Sequence, residues 1–283
     1  MVQDIGSGSS GSDPAPAPSE HKPAANGTLP SKPHHAPAHP LSEVSRQLND
    51  KINAFLADQT KDPMLQRVQA QVRVAIEVVE EAYRRFRPEQ ISLSYNGGKD
   101  CLVLTIIVLA CLSRRSAAAG GEPTYPATFP AVYIVSQHPF QEVDDFVAST
   151  SAEYHLQVSS YHAPMREALT IYQAENPKIE AIFVGTRRTD PFAEKLQHFD
   201  PTDAGWPSFM RVHPVIDWHL VEIWTFIRHL NIPYCELYDQ GYTSLGGRLN
   251  THPNPLLKKE GEAGFRPAYE LVDDNVERLG RDR

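Results

Sequence analysis

ISLSYNGGKDCLVLTIIVLACL, residues 91–112, is the stretch that decides the fold class of this 283-residue chain. Apolar residues alternate with serines over 91–95, the period of a β-strand, and the glycine turn 96–99 ends that strand. Asp100 is placed to cap the next helix, which is apolar on every side, so we expect it to be buried. Free N–H groups and the helix dipole point into such a turn. The spacing is not that of a Walker A loop, so the stretch predicts either a phosphate site, which Lys99 favours, or a structural turn.

The composition is that of an ordinary globular protein, with 41% hydrophobic and 22% charged residues. The formal net charge of −8 argues against nucleic-acid and membrane-surface partners, which need a basic face, but leaves anionic small molecules open. No apolar run approaches the roughly 20 residues that cross a bilayer, and the N-terminus lacks the regions of a signal peptide. Three cysteines without a CxxC pair fit a reducing cytosol. We therefore expect a cytoplasmic monomer that binds small molecules.

The composition changes twice along the chain. Residues 1–40 are rich in Pro, Gly, Ser and Ala and contain no aromatic residue, which predicts a disordered tail. Residues 41–199 alternate helical and strand patterns, which predicts a nucleotide-binding α/β domain with a parallel sheet, helices on both faces and ligands at the carboxyl ends of the strands. Residues 200–283 contain a helix that Asp217 would cap, followed by a Gly-, Pro- and Asn-rich remainder. We expect this part to be an irregular lobe, packed on the same domain, that forms one wall of the cleft.

Hydrophobic periodicity defines the elements of the central part. Pro63 either separates the two N-terminal helices or starts the second of them. A small-residue, glycine-rich loop is expected at 114–128. The other predicted elements are helices at 48–56, 65–83, 139–154 and 165–172 and strands at 91–95, 131–135, 156–160 and 181–184.

A second candidate loop, residues 185–191, follows the predicted strand 181–184. It contains Arg187, Arg188 and Asp190. A guanidinium can bind phosphate through two hydrogen bonds, and an aspartate can hold Mg²⁺ beside the same phosphate. A salt-bridged surface turn is the alternative. Because both loops leave the carboxyl ends of strands, we expect them to face one cleft.

The segment 203–211 has the chemistry of a ring site. Asp203 offers a carboxylate acceptor and Trp206 an aromatic wall, which together suit a flat heterocycle with N–H donors. Simple packing of the tryptophan is the alternative. Arg211 is the nearest cation, and it can either reach a phosphate or pair with Asp203.

Two further features near the C-terminus are open to two interpretations. The small-residue turn 243–247 either binds a phosphate or closes a loop. Arg278 and Arg281 are three residues apart and would share one face of a helix. They are either solvated charges or a clamp for a second phosphate. From the residues alone, the chain is an α/β nucleotide enzyme with two anion sites and a ring site.

Several motifs occur in an order that resembles one family. SYNGGKD, residues 94–100, is similar to the pyrophosphate-binding loop of the N-type ATP pyrophosphatase and adenylylsulfate reductase group. GTRRTDP, TDAGWPSFMRVHPVIDW, YCELYDQGYTSLGG, THPNPLL and ERLGR follow. Together they resemble the eukaryotic FAD synthases, the FMN adenylyltransferases, in their fungal single-domain form. The resemblance covers about 41–283, apart from the 114–128 loop, and implies a Rossmann-like, adenine nucleotide alpha hydrolase-like fold with a C-terminal flavin-binding lobe.

The resemblance implies a reaction and a set of site residues. FMN and ATP would give FAD and pyrophosphate, with Mg²⁺, by in-line attack of the FMN phosphate on the α-phosphorus. The residues implied for ATP are Ser94, Asn96, Gly97, Gly98, Lys99, Asp100, Tyr133, Ile134, Gly185 and Arg187. Those implied for FMN or FAD are Thr186, Asp190, Asp203, Ala204, Gly205, Trp206, Arg211, Arg278 and Arg281. The implied catalytic residues are Asn96, Asp100, Asp190, Arg278 and Arg281, and Asp190 is also the candidate metal ligand.

Two other functions stay open at this point. A phosphoadenylylsulfate reductase shares the fold and much of PYCELYDQGYTSLG, but it needs a C-terminal catalytic cysteine, and no cysteine follows Cys235. Cys101 directly follows the glycine turn, and we interpret it as a buried helix residue rather than a nucleophile. A non-catalytic nucleotide-binding regulator would have lost Lys99, Asp100 or Asp190, and all three are present.

Overall fold

The computed structural model describes residues 39–118 and 126–282 of the chain. The predicted tail lies almost wholly outside these residues. Of the predicted 114–128 loop, residues 119–125 also lie outside them, and residues 114–118 belong to a helix. The helices are α1 (Leu41–Ala57), α2 (Pro63–Arg85), α3 (Lys99–Ala118), α4 (Gln141–Glu153), α5 (Met165–Glu175) and α6 (Leu220–His229). The strands are β1 (Ile91–Ser94), β2 (Phe129–Ile134), β3 (Leu156–Tyr161), β4 (Ala181–Phe183), β5 (Phe199–Pro201) and β6 (Met210–Val212). Five short 3₁₀ helices are Pro88–Gln90, Glu236–Gln240, Pro255–Leu257, Ala268–Glu270 and Asp274–Val276.

The six strands form one sheet in the order β3-β2-β1-β4-β6-β5. Every neighbouring pair is parallel except β5 with β6, which is antiparallel. The chain leaves β1 toward β2 and β3 on one side, and leaves β4 toward β6 on the other. The carboxyl ends of β1 and β4 therefore form the switch point at which ligands bind in open α/β sheets.

Helices cover both faces of the sheet, as predicted. On one face, α3 packs against α1, α2 and α6 in the main core, and its residues 101–112 are buried. On the other face a smaller core holds Ile182, Tyr172 and Phe209 beside α5. Because side chains alternate along a strand, Phe183 of β4 enters the first core while its neighbour Ile182 enters the second. The two cores thus hold the carboxyl end of β4 rigidly beside that of β1.

Two predicted helix caps are wrong. Helix α3 begins at Lys99, and Leu102 N donates its first bond to Gly98 O, so Asp100 lies in the first turn. Helix α6 begins at Leu220 after the N-cap residue His219, so Asp217 lies outside it. Both aspartates pair with arginines instead, Asp100 with the buried Arg187 and Asp217 with Arg188.

The predicted C-terminal lobe shares the sheet with the preceding part of the chain. Strand β5 spans Phe199–Pro201, so the expected boundary at 199/200 falls inside it. Strand β6 pairs with β4, which makes the lobe continuous with the nucleotide domain. No helix within residues 39–118 and 126–282 has both the length and the apolar character that crossing a membrane requires.

Candidate functional site

A cleft of about 410 Å³ opens at the switch point between β1 and β4. Both candidate loops face it, as predicted, and the C-terminal lobe supplies the opposite wall through Tyr238, Ser244 and Leu245. The predicted site residues that line it are Ser94, Asn96, Gly98, Lys99, Asp100, Tyr133, Ile134, Gly185, Thr186, Asp190 and Arg278.

Two side chains hydrogen-bond to the backbone of the turn after β1, one from the turn itself and one from the C-terminal lobe. Gly97 has a φ of 72°, a left-handed conformation that favours glycine. Gly98 N donates to Asn96 Oδ1 at 2.9 Å, and Lys99 N donates to Tyr238 Oη at 2.9 Å. Two of the N–H groups expected to bind phosphate therefore have protein partners. The tyrosine partner could not be inferred from local sequence, since it lies 139 residues away.

Gly97→Ala is expected to destabilise the fold more than the same change at Gly261. The two glycines have φ values of 72° and 73°, so alanine at either position costs about 1–2 kcal/mol for the left-handed backbone. Only at Gly97 would the new Cβ meet a neighbour, Val147 Cγ2 at 2.8 Å, which adds about 1–3 kcal/mol. Urea unfolding of both variants measures the difference. Equal costs would contradict the clash.

Beneath the cleft, two buried cations meet three carboxylates. Lys99 Nζ contacts Asp100 Oδ2 at 2.9 Å and also Glu277 Oε1. Arg187 Nε lies 2.8 Å from Asp100 Oδ1, its Nη1 lies 3.0 Å from Asp274 Oδ1, and its Nη2 contacts Glu277 Oε2. Both cations are about 1–2% exposed. The predicted phosphate-binding arginine therefore lies under the cleft, with its charge neutralised by carboxylates.

These contacts decide the charge states of the buried groups. Burial lowers the pKa of Lys99, but Asp100 and Glu277 outweigh it, and the net pKa is raised. Burial likewise raises the pKa of Asp100, but Arg187 and Lys99 outweigh it and lower the net pKa. Lys99 and Asp100 are thus both charged, and the network as a whole brings two basic groups together with three acidic groups, one more acidic than basic.

Asp190 carries its carboxylate into the cleft from the loop after β4. Its Oδ2 accepts a hydrogen bond from Arg187 N at 2.9 Å. Burial and then the nearby Asp100 raise the pKa of Asp190, because both disfavour a further negative charge. Within the described residues, no cluster of three or more His, Cys, Asp or Glu side chains is arranged to hold a metal. This is compatible with Mg²⁺, which proteins often bind through one or two carboxylates plus substrate phosphates.

A second cavity, of about 260 Å³, adjoins the cleft and shares Ser94, Ile134 and Thr186 with it. Apolar side chains dominate its lining, and the predicted ring-site residues Asp203, Trp206 and Arg211 belong to it. The remaining two predicted residues, Ala204 and Gly205, are exposed in the same loop.

The ring-site residues make few contacts with one another. Arg166 lies over the Trp206 ring, 5.1 Å from its centroid. Arg211 Nη2 donates to Pro201 O at 2.9 Å and lies 3.6 Å from Asp203 Oδ1. The pairing of Arg211 with Asp203, one of the two open interpretations, is the one observed.

His213 lines the second cavity and was not identified from the sequence. It is 1% exposed, and neither ring nitrogen has a hydrogen-bond partner among residues 39–118 and 126–282. Burial and then Arg211 lower the pKa of His213 to about 4, while Asp200 opposes them. The imidazole is therefore neutral at physiological pH. Only its position directly after β6, two residues beyond Arg211, could have indicated it.

His213 is expected to make the fold acid-sensitive. A histidine with a pKa near 4 in the fold and 6.5 when unfolded takes up its proton preferentially in the unfolded chain as the pH falls. Its stabilising contribution is thus fullest above pH 6.5 and is lost toward pH 4. Between pH 7 and 5 the wild type should lose about 2 kcal/mol more than His213→Gln. Urea unfolding at both pH values tests this, and parallel losses would contradict it.

The two C-terminal arginines meet the turn 243–247. Arg278 is exposed, with Nη1 3.4 Å from Ser244 Oγ, and Arg281 Nη1 donates to Leu245 O at 2.9 Å. A Cβ on Gly246 would lie 2.3 Å from Arg281 Nη2, so a larger residue there would displace the guanidinium of Arg281. The condition for a shared helix face is not met, because the last 3₁₀ helix ends at Val276, before both arginines. Burial and then Arg278 lower the pKa of Arg281.

The cysteines do not supply a nucleophile. Cys101, Cys111 and Cys235 are all free and buried. Burial raises the pKa of Cys101 to about 12, so its thiol stays protonated and unreactive at neutral pH. This agrees with its interpretation as a buried helix residue.

Comparison with known proteins identifies the family. A family model of the phosphoadenosine phosphosulfate reductase domain matches residues 90–178 and 163–253. The probable FAD synthase of Schizosaccharomyces pombe is 38% identical over 241 residues, which cover 85% of this chain and 89% of that protein.

Two crystal structures of Candida glabrata FMN adenylyltransferase, one with FAD and inorganic pyrophosphate and one with FMN and the ATP analogue AMPCPP, are each 28% identical. Each has a TM-score of 0.82 and covers 88% of this chain and 99% of the other. These matches confirm the predicted Rossmann-like, adenine nucleotide alpha hydrolase-like fold class. The chain belongs to the FAD synthase family and carries a phosphoadenosine phosphosulfate reductase domain.

Proposed function

We propose that this chain is an FMN adenylyltransferase that transfers AMP from ATP to FMN, giving FAD and pyrophosphate. The observation that carries the proposal is the junction of two cavities, a polar cleft at the switch point and an apolar cavity beside Trp206, through shared lining residues. Two ligands bound there would touch at one point, as a reaction between two nucleotides requires. The C. glabrata relative, which binds FMN together with an ATP analogue, supports this reading.

We assign ATP to the cleft. Its adenine would lie against the backbone of Tyr133 and Ile134, and its phosphates would lie over the turn 96–98 and the N-terminus of α3. FMN would place its ring in the second cavity and its phosphate toward Arg278 and Arg281. The FMN phosphate then faces the α-phosphorus, and pyrophosphate leaves toward the turn.

The charge of the cleft supports a role for Mg²⁺. Lys99 and Arg187 are neutralised from below, and three carboxylates leave an excess negative charge next to the phosphate position. A polyphosphate needs a cation there, and Asp190 is the carboxylate that we expect to hold it. Bound Mg²⁺ would neutralise phosphate charge as it develops. Arg278 is the exposed cation on the opposite wall and orients the attacking phosphate.

The remaining proposals concern organisation. We propose that residues 41–199 bind the nucleotide and that 200–283 form the flavin-binding lobe of the same domain. We further propose that the enzyme is a monomer. The three free cysteines support a reducing compartment such as the cytoplasm.

The test is to incubate the protein with FMN, ATP and Mg²⁺ and to follow flavin fluorescence, which falls when adenine stacks on the flavin in FAD. We expect FAD and pyrophosphate in equal amounts, with no FAD formed when EDTA replaces Mg²⁺. Absence of FAD, with thiol-dependent release of sulfite from phosphoadenylylsulfate, would overturn the proposal in favour of a reductase. Turnover in EDTA would overturn the metal assignment alone.

A further inference from the structure

Glu277 is a buried carboxylate that joins three distant parts of the chain. It is 4% exposed, and its two oxygens contact Lys99 Nζ at the start of α3 and Arg187 Nη2 on the loop after β4. Its partners are 178 and 90 residues away along the chain. The residue thus connects both loops of the cleft to the C-terminal segment.

The backbone at Glu277 is also held by hydrogen bonds from buried side chains. Thr243 Oγ1 donates to Glu277 O, and Asn254 Nδ2 donates to Val276 O at 2.8 Å. Thr243 and Asn254 are themselves buried and joined by a 3.1 Å bond. By contrast, the side chain of the next residue, Arg278, is exposed, and its one hydrogen bond to the described residues is the 3.4 Å contact with Ser244 Oγ. The position of Arg278 therefore depends on the anchoring of Glu277.

We infer that Glu277 is a positioning residue that fixes Arg278 relative to the nucleotide loop, and so sets the FMN phosphate in line with ATP. The inference rests on the proposed function. Glu277 lines the cleft assigned to ATP, where its two oxygens are taken up by Lys99 and Arg187, and in this scheme it acts through Arg278. Its carboxylate suits this task because two oxygens can bind two cations at once, while the amide of glutamine has one acceptor oxygen. An in-line displacement is sensitive to such placement, since a misplacement of about 1 Å can cost a hundredfold.

A double-mutant cycle tests the inference. Glu277→Gln, Arg278→Ala and the double variant are compared with wild type by kcat, KM for FMN and KM for ATP. We expect Glu277→Gln to raise the KM for FMN by roughly ten- to a hundredfold, and the KM for ATP by less. In the Arg278→Ala background the same change should add little to the KM for FMN, because the residue through which it acts is gone. Multiplicative effects on FMN, or equal effects on both substrates, would overturn the inference.

A second variant loosens the same segment and keeps every charge. Thr243→Val removes the hydroxyl that donates to Glu277 O, and we expect a KM for FMN several-fold above wild type, with an unchanged KM for ATP. The matched control is Thr225→Val, because Thr225 Oγ1 bonds only within helix α6, to Val221 O at 2.6 Å. A Thr243→Val enzyme with the FMN response of that control would contradict the inference even if Glu277→Gln does not fold.

The outcome is separable from the proposed function. Wild-type protein that forms FAD supports the adenylyltransferase assignment, whatever the variants do. Variants that leave the KM for FMN unchanged then remove Glu277 from the positioning role and leave the assignment intact. Wild-type protein that forms no FAD overturns the assignment and the inference together.

Discussion

Asp190→Asn is expected to lower kcat by at least about a hundredfold while the protein stays folded. The amide keeps an oxygen that can accept from Arg187 N, so the loop after β4 retains its 2.9 Å bond. It loses the negative charge that we expect to hold Mg²⁺ beside the phosphates, and a preorganised charge of this kind is worth about 3–4 kcal/mol in the transition state. Asp190→Ala loses both features and should abolish turnover.

The fold should tolerate the change because the ionised form of Asp190 is already disfavoured. Burial and the nearby Asp100 raise the pKa of Asp190, so a neutral amide relieves repulsion. The matched control is Asp217→Asn, which removes an exposed carboxylate paired with Arg188 outside the cleft. Initial rates over a Mg²⁺ titration, with thermal unfolding of each variant, check the expectation. A wild-type kcat in Asp190→Asn at saturating Mg²⁺ would remove the charge of Asp190 from the mechanism.

The sequence predicts the part of the site that is formed by one continuous stretch of chain. Strand β1, the glycine turn and helix α3 follow one another without a break, so alternation, glycine and an apolar run were enough to identify them. The proximity of the loops after β1 and β4 could be predicted because the carboxyl ends of parallel strands lie at the same edge of a sheet. Strands β5 and β6 were missed because each has three residues that include a charged one, Asp200 or Arg211, whereas the equally short β4 is an apolar, buried run.

The partners of charged side chains could not be predicted, since they depend on contacts between distant residues. Asp100 and Arg187 belong to different motifs, 87 residues apart, and form an ion pair. Asp100 therefore does not cap helix α3, and Arg187 is not free to bind phosphate. Glu277 opens the ERLGR motif, yet its partners come from two loops that precede it by 178 and 90 residues. The motifs identify the charged residues of the site. Tertiary contacts determine which of these side chains are paired within the protein and which can still bind a ligand.

Arg187→Met is expected to destabilise the fold by about 3–5 kcal/mol. Methionine fills much of the volume, but Asp100, Asp274 and Glu277 lose the cation that they share, and uncompensated buried carboxylates are costly. The matched control is Arg84→Met on the surface of α2. Arg84 is 64% exposed and pairs only with Glu81, so its loss should cost about 1 kcal/mol or less. Urea unfolding at neutral pH compares the two variants.

The pH dependence distinguishes this role from phosphate binding. Arg187 helps to lower the pKa of Asp100, so the pair stabilises the fold above the ordinary aspartate pKa, and this contribution is lost as the pH falls. The stability difference between wild type and Arg187→Met should therefore persist from pH 7 to about pH 4 and shrink below the ordinary aspartate pKa of 3.8. If Arg187 served instead as a phosphate ligand, the variant would keep its stability and lose affinity for ATP. Because the five groups form one network, we expect Arg187→Met to lower the free energy of unfolding. Any loss of affinity for ATP should then follow from the disrupted network.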